Sequence, residues 1–436
     1  METPSTAVEA TSNQQWPSAP IYDLTKRPES LLSLDAKDYE EDVQGNFWRS
    51  ARWCVDGSAI LSTTEDRSIR IHTTTDNLSF ETRAYQQPDA IHSTLWYPSA
   101  SATTPETFCF VASIRDTPVR LIDGNDGRIR ASYPIIDHRE RFIAPHSLAF
   151  DPTATKLYCG FENAIEVFDV SSPGYDQGER LKLVRAKKEK GGQRGIISAL
   201  SFCPDYSGTF AAGSFSGKGS VALYSEDTGS TPLAHVEGIV GGGVTQIAWH
   251  PLNSTIMFVA SRRSSQIQIY DTRDLTAPLS SFERNGHTNQ RLWLDVDPWG
   301  RWLASGDQNG TIKIWDIATM DTKPRFEENL HQDAVGSIQF HPFQPLLLTC
   351  SGSRKHLQNE PQYLDDDSSS SESDGDSDGE ANDSSDVDVG KDNSDDPKST
   401  KKRQPPSDST LKIWSSKSDT LGETSNTTSV TESNPA

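Results

Sequence analysis

Basic side chains concentrate in one short stretch of the chain, and their chemistry is that of phosphate binding. Residues 177–195 hold seven Lys and Arg against two Glu, a net charge of +5. Such clusters displace counterions from nucleic-acid phosphates and give an affinity that falls as salt rises. The candidate nucleic-acid-binding residues of this stretch are Lys182, Arg185, Lys187, Lys188, Lys190 and Arg194. Five loop arginines elsewhere complete the candidate set: Arg139, Arg141, Arg262, Arg263 and Arg291. The competing interpretation is a set of ordinary solvated loop charges.

Motifs for catalysis do not match. Gly213–Gly217 has Phe215 where a nucleophile elbow requires serine, and Gly217–Gly219 lacks the spacing and the hydroxyl of a phosphate loop. The five cysteines stand far apart with no CxxC pair, which argues against a zinc site and a disulfide framework and favours a reducing intracellular compartment. We therefore expect no enzyme activity, no cofactor and no metal.

A sequence repeat predicts the elements that position these residues. A hydrophobic residue, one spacer and usually proline recur, with the third residue at 55, 98, 152, 204, 251, 298 and 342. That period is close to the roughly 40–45 residues of a propeller blade. Blade six shows the strands most clearly: Trp302–Gly306, a turn at Gln308–Gly310, and Thr311–Asp316 ending in a Trp-Asp pair. The prediction is an all-β, seven-bladed WD40 β-propeller.

The predicted domain organisation places the propeller at residues 19–416 between disordered tails at 1–18 and 417–436. Blade seven lacks an outer strand of its own, and Pro20–Leu24 is the predicted N-terminal strand that closes the ring and removes both sheet edges. No stretch approaches the roughly 18 apolar residues of a membrane span, so we expect a soluble protein that is not secreted.

Other conspicuous residues have structural interpretations. His287 follows Gly286 as in WD40 repeats, where the imidazole bonds within its blade. His250 and His341 precede repeat prolines and are expected to pack beside turns. Asp66 and Asn309 are expected to fix tight turns.

An acidic insert at residues 357–408 interrupts blade seven between its second and third strands. Residues 365–396 hold fourteen Asp and Glu against one Lys, a net charge of −13, and too few apolar groups to fold. Ser369, Ser371 and Ser373 precede acidic residues and are candidate phosphorylation sites. The loops between blades and the turns between second and third strands share one face, so the insert should emerge beside the cations. Two hypotheses stay open: transient folding back as a phosphate mimic, or a solubility segment that contacts basic proteins.

Several short sequence segments resemble segments of one known family. They are Gly45–Phe47 with Trp53–Gly57, Ala144–Leu148, Tyr158–Phe161, Gly195–Ser198, and Thr288–Arg291 leading into Leu294–Pro298. These are similar to the telomerase Cajal body protein family of WD40 propellers, which includes fungal splicing-associated relatives. The resemblance covers roughly residues 45–355 and resumes at 410.

The resemblance implies a nuclear, non-enzymatic scaffold that binds box H/ACA small RNAs, including telomerase RNA, and directs their particles to nuclear bodies. Fungal relatives imply pre-mRNA splicing particles instead. The expected partners are a small nuclear or telomerase-type RNA and proteins of small nuclear ribonucleoproteins, bound by a monomeric propeller in the nucleus, with a cytoplasmic pool allowed and no membrane. The alternative function is a protein–protein adaptor in a splicing or ubiquitin-ligase complex without direct RNA contact.

Overall fold

Seven four-stranded antiparallel sheets surround a central channel. The structure is a computed structural model that describes residues 18–39, 45–74, 80–184, 192–215, 219–356, 403–404 and 406–417. In each sheet the strands run from the channel to the rim, and the innermost strands of consecutive blades adjoin, as where Ser337 donates a hydrogen bond to the Ala51 carbonyl, 2.9 Å away. The prediction of an all-β, seven-bladed propeller is confirmed.

The strand bounds follow the repeat, and the strands of each blade run in order from the channel outward. Blade one contains Trp48–Trp53, Ala59–Thr64, Ser68–Thr74 and Phe80–Gln86. Blade two contains Ile91–Trp96, Cys109–Ile114, Val119–Asp123 and Ile129–Tyr133. Blade three contains Ser147–Phe150, Lys156–Phe161, Ala164–Asp169 and Gly178–Lys182. Blade four contains Ile196–Phe202, Thr209–Phe215, Ser220–Ser225 and Ala234–Val236.

The last three blades continue the pattern. Blade five contains Val244–His250, Asn253–Ser261, Gln266–Asp271 and Ser280–Glu283. Blade six contains Leu294–Val296, Trp302–Gly306, Thr311–Asp316 and Phe326–Asn329. Blade seven contains Val335–Phe340, Leu346–Ser351, Thr410–Ser415 and Glu29–Asp35. A 3-10 helix at Ala36–Tyr39 and a small hairpin that pairs Lys355–His356 with Arg403–Gln404 complete the described elements.

The hydrophobic core lies within and between the blades. Second strands such as Ala59–Thr64 and Cys109–Ile114 are buried along their whole length, because both faces of each sheet are covered by neighbouring blades. Aromatic pairs fill these layers; the rings of Phe282 and Trp315 stack with centroids 5.1 Å apart and planes 2° apart. Burial of such rings supplies most of the driving force that holds the blades in register.

Ring closure differs from the sequence prediction. The outer strand of blade seven is Glu29–Asp35, which pairs antiparallel with the whole of Thr410–Ser415, so the prediction of Pro20–Leu24 as the closing strand is wrong. Leu32 and Leu34 of the true closing strand pack against the core of blades seven and one. Pro20–Leu24 instead lies against the blade, with Tyr22 edge-on to Phe340 at 5.2 Å.

Blade seven contains a buried histidine network. His331 Nε2 lies 2.8 Å from the Thr349 hydroxyl, and its Nδ1 lies 3.2 Å from a carboxylate oxygen of Asp408. Trp414 donates its indole N–H to the same Thr349 hydroxyl. The sequence analysis predicted such bonding within a blade for His287. The side chain of His287 is exposed, so that prediction is wrong.

The two other repeat histidines pack as expected. A Cβ atom added at Gly57 would collide with the His341 ring, and one added at Gly300 would collide with the His250 ring. Each imidazole therefore covers the glycine turn of the following blade and links neighbours around the ring. Asp66 also fixes a turn, because its carboxylate accepts a hydrogen bond from the Ser68 amide.

The insertion point of the acidic segment is the turn between the second and third strands of blade seven. Leu346–Ser351 pairs directly with Thr410–Ser415 although about sixty residues separate them. Residues 357–402 and 405 lie outside the described residues, as do Ser369, Ser371 and Ser373.

Candidate nucleic-acid interface

The central channel opens into a cavity of about 880 Å³ on the face that carries the loops between blades. Its lining comes from blades one, two, five, six and seven and contains five arginines: Arg49, Arg52, Arg262, Arg291 and Arg354. A second cavity, of about 390 Å³, shares Arg52, Arg291 and Trp293 with the first. The two cavities are therefore successive sections of one channel.

Arg49 and Arg354 share one acid at the mouth. Arg354 Nε donates to Glu65 Oε1 at 2.7 Å, and its Nη2 donates to Glu65 Oε2 at 3.1 Å. Arg49 Nε lies farther from that carboxylate, at 3.8 Å, and its Nη1 donates to the Ile91 carbonyl. Burial and the charge of Arg354 lower the pKa of Arg49. One glutamate thus faces two guanidinium groups.

Arg52 lies deeper, against Trp293. Its guanidinium carbon lies 4.2 Å from the centroid of the indole ring, a cation–π distance. Burial lowers the pKa of Arg52, and among the described residues the acid that opposes this effect is Asp295. Burial raises the pKa of Asp295 to about 7, although its carboxylate accepts a hydrogen bond from the Phe340 amide at 2.9 Å. This acid is therefore only partly ionised at neutral pH.

The side chain of Arg291 extends across the channel from the segment before blade six. Its Nη2 donates to the carbonyls of Ser198, at 3.3 Å, and His146, at 3.5 Å. Burial lowers the pKa of Arg291 to about 10, and the neighbouring charges of Arg262, Arg49 and Arg52 contribute to that lowering. The charged groups that act on Arg291 within the described part of the chain are all cations, so its positive charge is poorly compensated.

Arg262 and Arg263 form the turn of blade five at the same mouth. The guanidinium carbon of Arg262 lies 4.6 Å from the centroid of the Phe215 ring, and burial lowers its pKa. Arg263 is exposed, and its Nε donates to Asn289 Oδ1 at 2.8 Å. Arg262 therefore lies in the channel wall, and Arg263 lies on the outer surface.

Two imidazoles stack beside these cations. The rings of His92 and His146 lie 4.5 Å apart with planes 11° apart. Burial lowers the pKa of His146 to about 4, with further lowering by His92, Arg291 and Arg262. Burial also lowers the pKa of His92, so both rings are neutral at physiological pH.

Within the described residues, neither channel cavity is lined by an Asp or Glu side chain. Five arginines therefore face a space whose other polar groups are hydroxyls, amides and imidazoles. Such a lining attracts anions and repels cations. The same residues contain no cluster of metal-ligating side chains.

The sequence-predicted residues divide into three groups. Arg291 and Arg262 line the channel, where they meet cations that the sequence prediction did not include. Five are exposed outside it: Lys182, Arg139, Arg141, Arg194 and Arg263. Arg141 pairs with Asp137 at 3.0 Å. Four residues lie outside the described residues: Arg185, Lys187, Lys188 and Lys190.

One loop arginine is withdrawn from the surface. Arg284 is buried, and its Nη1 donates to the Leu292 carbonyl at 2.9 Å and the Ser305 hydroxyl at 2.5 Å. This arginine fastens blade five to blade six and is not available to a ligand.

Sequence reasoning missed Arg49, Arg52, Arg354 and Trp293. The available signal was two arginines in Trp48–Trp53, because the innermost strand of a blade is an unusual place for a cation unless it faces the channel. The phrase Thr288–Arg291, singled out in the sequence, leads directly into Trp293 and does form part of the channel wall.

Comparison with known proteins agrees with this architecture. Residues 277–316 match the WD domain, G-beta repeat family. Telomerase Cajal body protein 1 of Bos taurus is 34% identical over 324 residues, which cover 71% of this chain and 58% of the relative. The Homo sapiens protein of that name is likewise 34% identical over 324 residues, covering 71% of this chain and 57% of the relative. The resemblance to the telomerase Cajal body protein family that the sequence indicated is confirmed.

The chain also has a fungal relative. Guanine nucleotide-binding protein negative regulator 1 of Schizosaccharomyces pombe is 29% identical over 330 residues, which cover 71% of this chain and 80% of the relative. The chain spans less than two thirds of the length of the mammalian relatives it matches. No helix among the described residues is long and apolar enough to cross a membrane.

Proposed function

We propose that this chain is a non-enzymatic scaffold that binds a small structured RNA on the propeller face that carries the loops between blades. The observation that carries the proposal is the channel, which five arginines and three histidines line without a lining carboxylate in the described part of the chain. Lys182, Arg139, Arg194 and Arg263 extend the positive charge outward as exposed side chains. Guanidinium groups suit phosphates because they donate two parallel hydrogen bonds.

The names of the mammalian relatives support the proposed kind of RNA and the proposed compartment. The mammalian relatives are named for telomerase and for the Cajal body, a nuclear structure. We therefore propose that the chain acts in the nucleus, in biogenesis or localisation of particles that contain box H/ACA, small Cajal-body or telomerase-type RNA. Splicing particles are the other branch, with proteins of small nuclear ribonucleoproteins as partners in either case.

Crosslinking in cells tests this proposal. Ultraviolet light joins the tagged protein to RNA in direct contact, and sequencing identifies the RNA. We expect enrichment of box H/ACA or spliceosomal small RNAs, lost when Arg139, Arg194 and Lys182 are changed together to Glu. A matched control is Arg325→Glu, an exposed arginine between the third and fourth strands of blade six, on the opposite face. Recovery of background RNA alone would exclude the RNA scaffold.

A protein–protein adaptor is the second candidate, and one feature of the opposite face favours it. Turns between first and second strands expose four apolar side chains: Val55, Tyr206, Leu252 and Phe343. Tyr206 and Leu252 are 72% and 71% exposed, which is unusual for large apolar side chains and typical of contact surfaces. If Tyr206→Ser with Leu252→Ser removes proteins that co-purify while crosslinked RNA stays at background, the adaptor function replaces the RNA scaffold.

A further inference from the structure

We infer that the channel mouth is a receptor for an unpaired nucleotide, whose phosphate contacts Arg291, Arg49 and Arg262 and whose base stacks against the planar groups of the channel wall. The inference rests on the proposed RNA scaffold and deepens it. It assigns the recognised feature to a single extruded nucleotide and not to the duplex surface of the RNA.

The positive charges of Arg291 and Arg262 are poorly compensated, whereas Arg49 and Arg354 share Glu65 at the mouth. Within the described part of the chain, Arg291 donates to two main-chain carbonyls, and its charged neighbours are Arg262, Arg49 and Arg52. Arg262 has a ring face but no carboxylate contact among the described side chains. Removing a charge from water is costly unless a counter-charge and hydrogen bonds replace the water. A bound anion supplies both, because each phosphate offers several acceptor oxygens.

The cations also lie deep in the channel. The guanidinium of Arg291 reaches from the segment before blade six to the carbonyls of Ser198 and His146 in blades four and three. A regular RNA helix presents its phosphates on a broad outer surface and cannot enter a channel between blades. Unpaired nucleotides can be splayed out of loops and bulges. A volume of about 880 Å³ lies within the range of small-ligand pockets and admits one nucleotide with water.

Planar groups lie beside the cations. Trp293 lies under the Arg52 guanidinium, and the His92 and His146 rings are stacked 4.5 Å apart. Aromatic rings and guanidinium planes are the surfaces on which unpaired bases stack. A site for a bare anion needs the arginines alone, whereas a nucleotide uses both kinds of group.

The test uses the full-length protein and two probes: a hairpin RNA with an unpaired loop, and a fully paired RNA of equal length. Arg291→Gln removes the cation that reaches the Ser198 and His146 carbonyls, and Arg325→Gln is the matched control on the opposite face. We expect Arg291→Gln to weaken hairpin binding by about tenfold or more, the effect of losing charge-assisted hydrogen bonds, and to change duplex binding by less than about twofold. The control should leave both affinities unchanged.

The outcomes separate this inference from the proposed function. If Arg291→Gln binds the hairpin like wild type while the triple variant at Arg139, Arg194 and Lys182 does not, the inference is overturned and the RNA scaffold stands. If wild type binds neither RNA, the proposed function fails as well. If inorganic pyrophosphate raises the melting temperature of wild type and not of Arg291→Gln, with hairpin binding unchanged in both, the channel takes a free anion. Competition by an acidic peptide, without RNA binding, would assign the site to protein.

Folding of the variant is checked in the same samples. Arg291→Gln removes a buried charge with no carboxylate contact among the described residues, so its melting temperature should equal or exceed that of wild type. Arg49→Gln provides a second variant of the same cluster, and it should weaken hairpin binding in the same direction.

Discussion

The guanidinium of Arg52 lies over the indole of Trp293, 4.2 Å from the ring centroid, and thereby joins the innermost strand of blade one to the segment that enters blade six. The two residues are distant in sequence and meet only because the ring closes. The indole stabilises a cation that has little help from carboxylates, since the acid that acts on it, Asp295, is itself partly protonated. This contact keeps positive charge inside the channel without neutralising it.

Replacing Trp293 should therefore destabilise the protein as well as the proposed RNA site. We expect Trp293→Leu to lower the free energy of unfolding by about 1–2 kcal/mol, the size of a desolvated cation–π contact, while Trp293→Phe loses less than half as much. Urea unfolding measures both. Equal losses in the two variants would show that ring volume, and not the cation contact, accounts for the effect.

Asp408 follows the acidic insert and contacts residues that precede it in the chain. Its carboxylate contacts the buried His331 and accepts a hydrogen bond from the Gln332 amide, and these contacts hold its pKa well below the ordinary value. Asp408→Ala removes the acceptor of the Gln332 amide and the Thr410 hydroxyl and leaves only that hydroxyl near His331 Nδ1, so we expect a loss of about 1–3 kcal/mol in unfolding free energy. Asp227→Ala, at an exposed turn, is the control and should be nearly neutral.

The sign of the pH dependence follows from that lowered pKa. The native protein binds fewer protons at Asp408 than the unfolded chain, so this contribution to stability is complete above the unfolded pKa of about 4 and is lost as pH falls below it. The difference between wild type and Asp408→Ala should shrink on acidification. A difference that stays constant with pH would contradict the role of the ionised carboxylate.

The contribution of Asp295 to stability has the opposite dependence on pH. Its folded pKa of about 7 exceeds the unfolded value, so the native state holds the extra proton and loses stability as pH rises from about 4 to about 7. Asp295→Asn removes this titration and keeps an acceptor for the Phe340 amide. We expect the variant to gain stability relative to wild type across that range, measured by thermal unfolding in matched buffers. The opposite trend would place the ionised form in the native state.

Ring closure can be tested by truncation. A chain that begins at residue 18 keeps Glu29–Asp35 and should unfold cooperatively, whereas a chain that begins at residue 36 exposes the edge of Thr410–Ser415. Unpaired strand edges promote association, so the shorter chain should aggregate or melt well below the longer one. Equal melting temperatures and equal solubility would show that Glu29–Asp35 is dispensable.

The acidic insert should compete with RNA if it acts as a phosphate mimic. Deleting 365–396 removes a net charge of −13 from a segment inserted on the proposed RNA face. We expect tighter RNA binding and a changed dependence of affinity on salt. Filter binding at several salt concentrations measures both. Unchanged binding would leave the alternative, a solubility segment or a contact for basic proteins.

The sequence determined the number of blades and most of their strands, because the repeat and the alternation of apolar residues are local properties of the chain. Trp302–Gly306 and Thr311–Asp316 lie where the pattern predicted them. The choice of closing strand depended on tertiary structure, since both N-terminal segments carry apolar residues and only Glu29–Asp35 fits the whole edge of Thr410–Ser415.

The channel was also decided by tertiary structure. Arg291 and Arg262 stood out in the sequence as loop cations, but their burial and their meeting with Arg49 and Arg52 follow from the circular arrangement of blades. The sequence shows which residues are charged but not how deeply their side chains are buried. The cost of removing those charges from water, and the attraction for an anion that results, arise only when strands from distant blades enclose the same space.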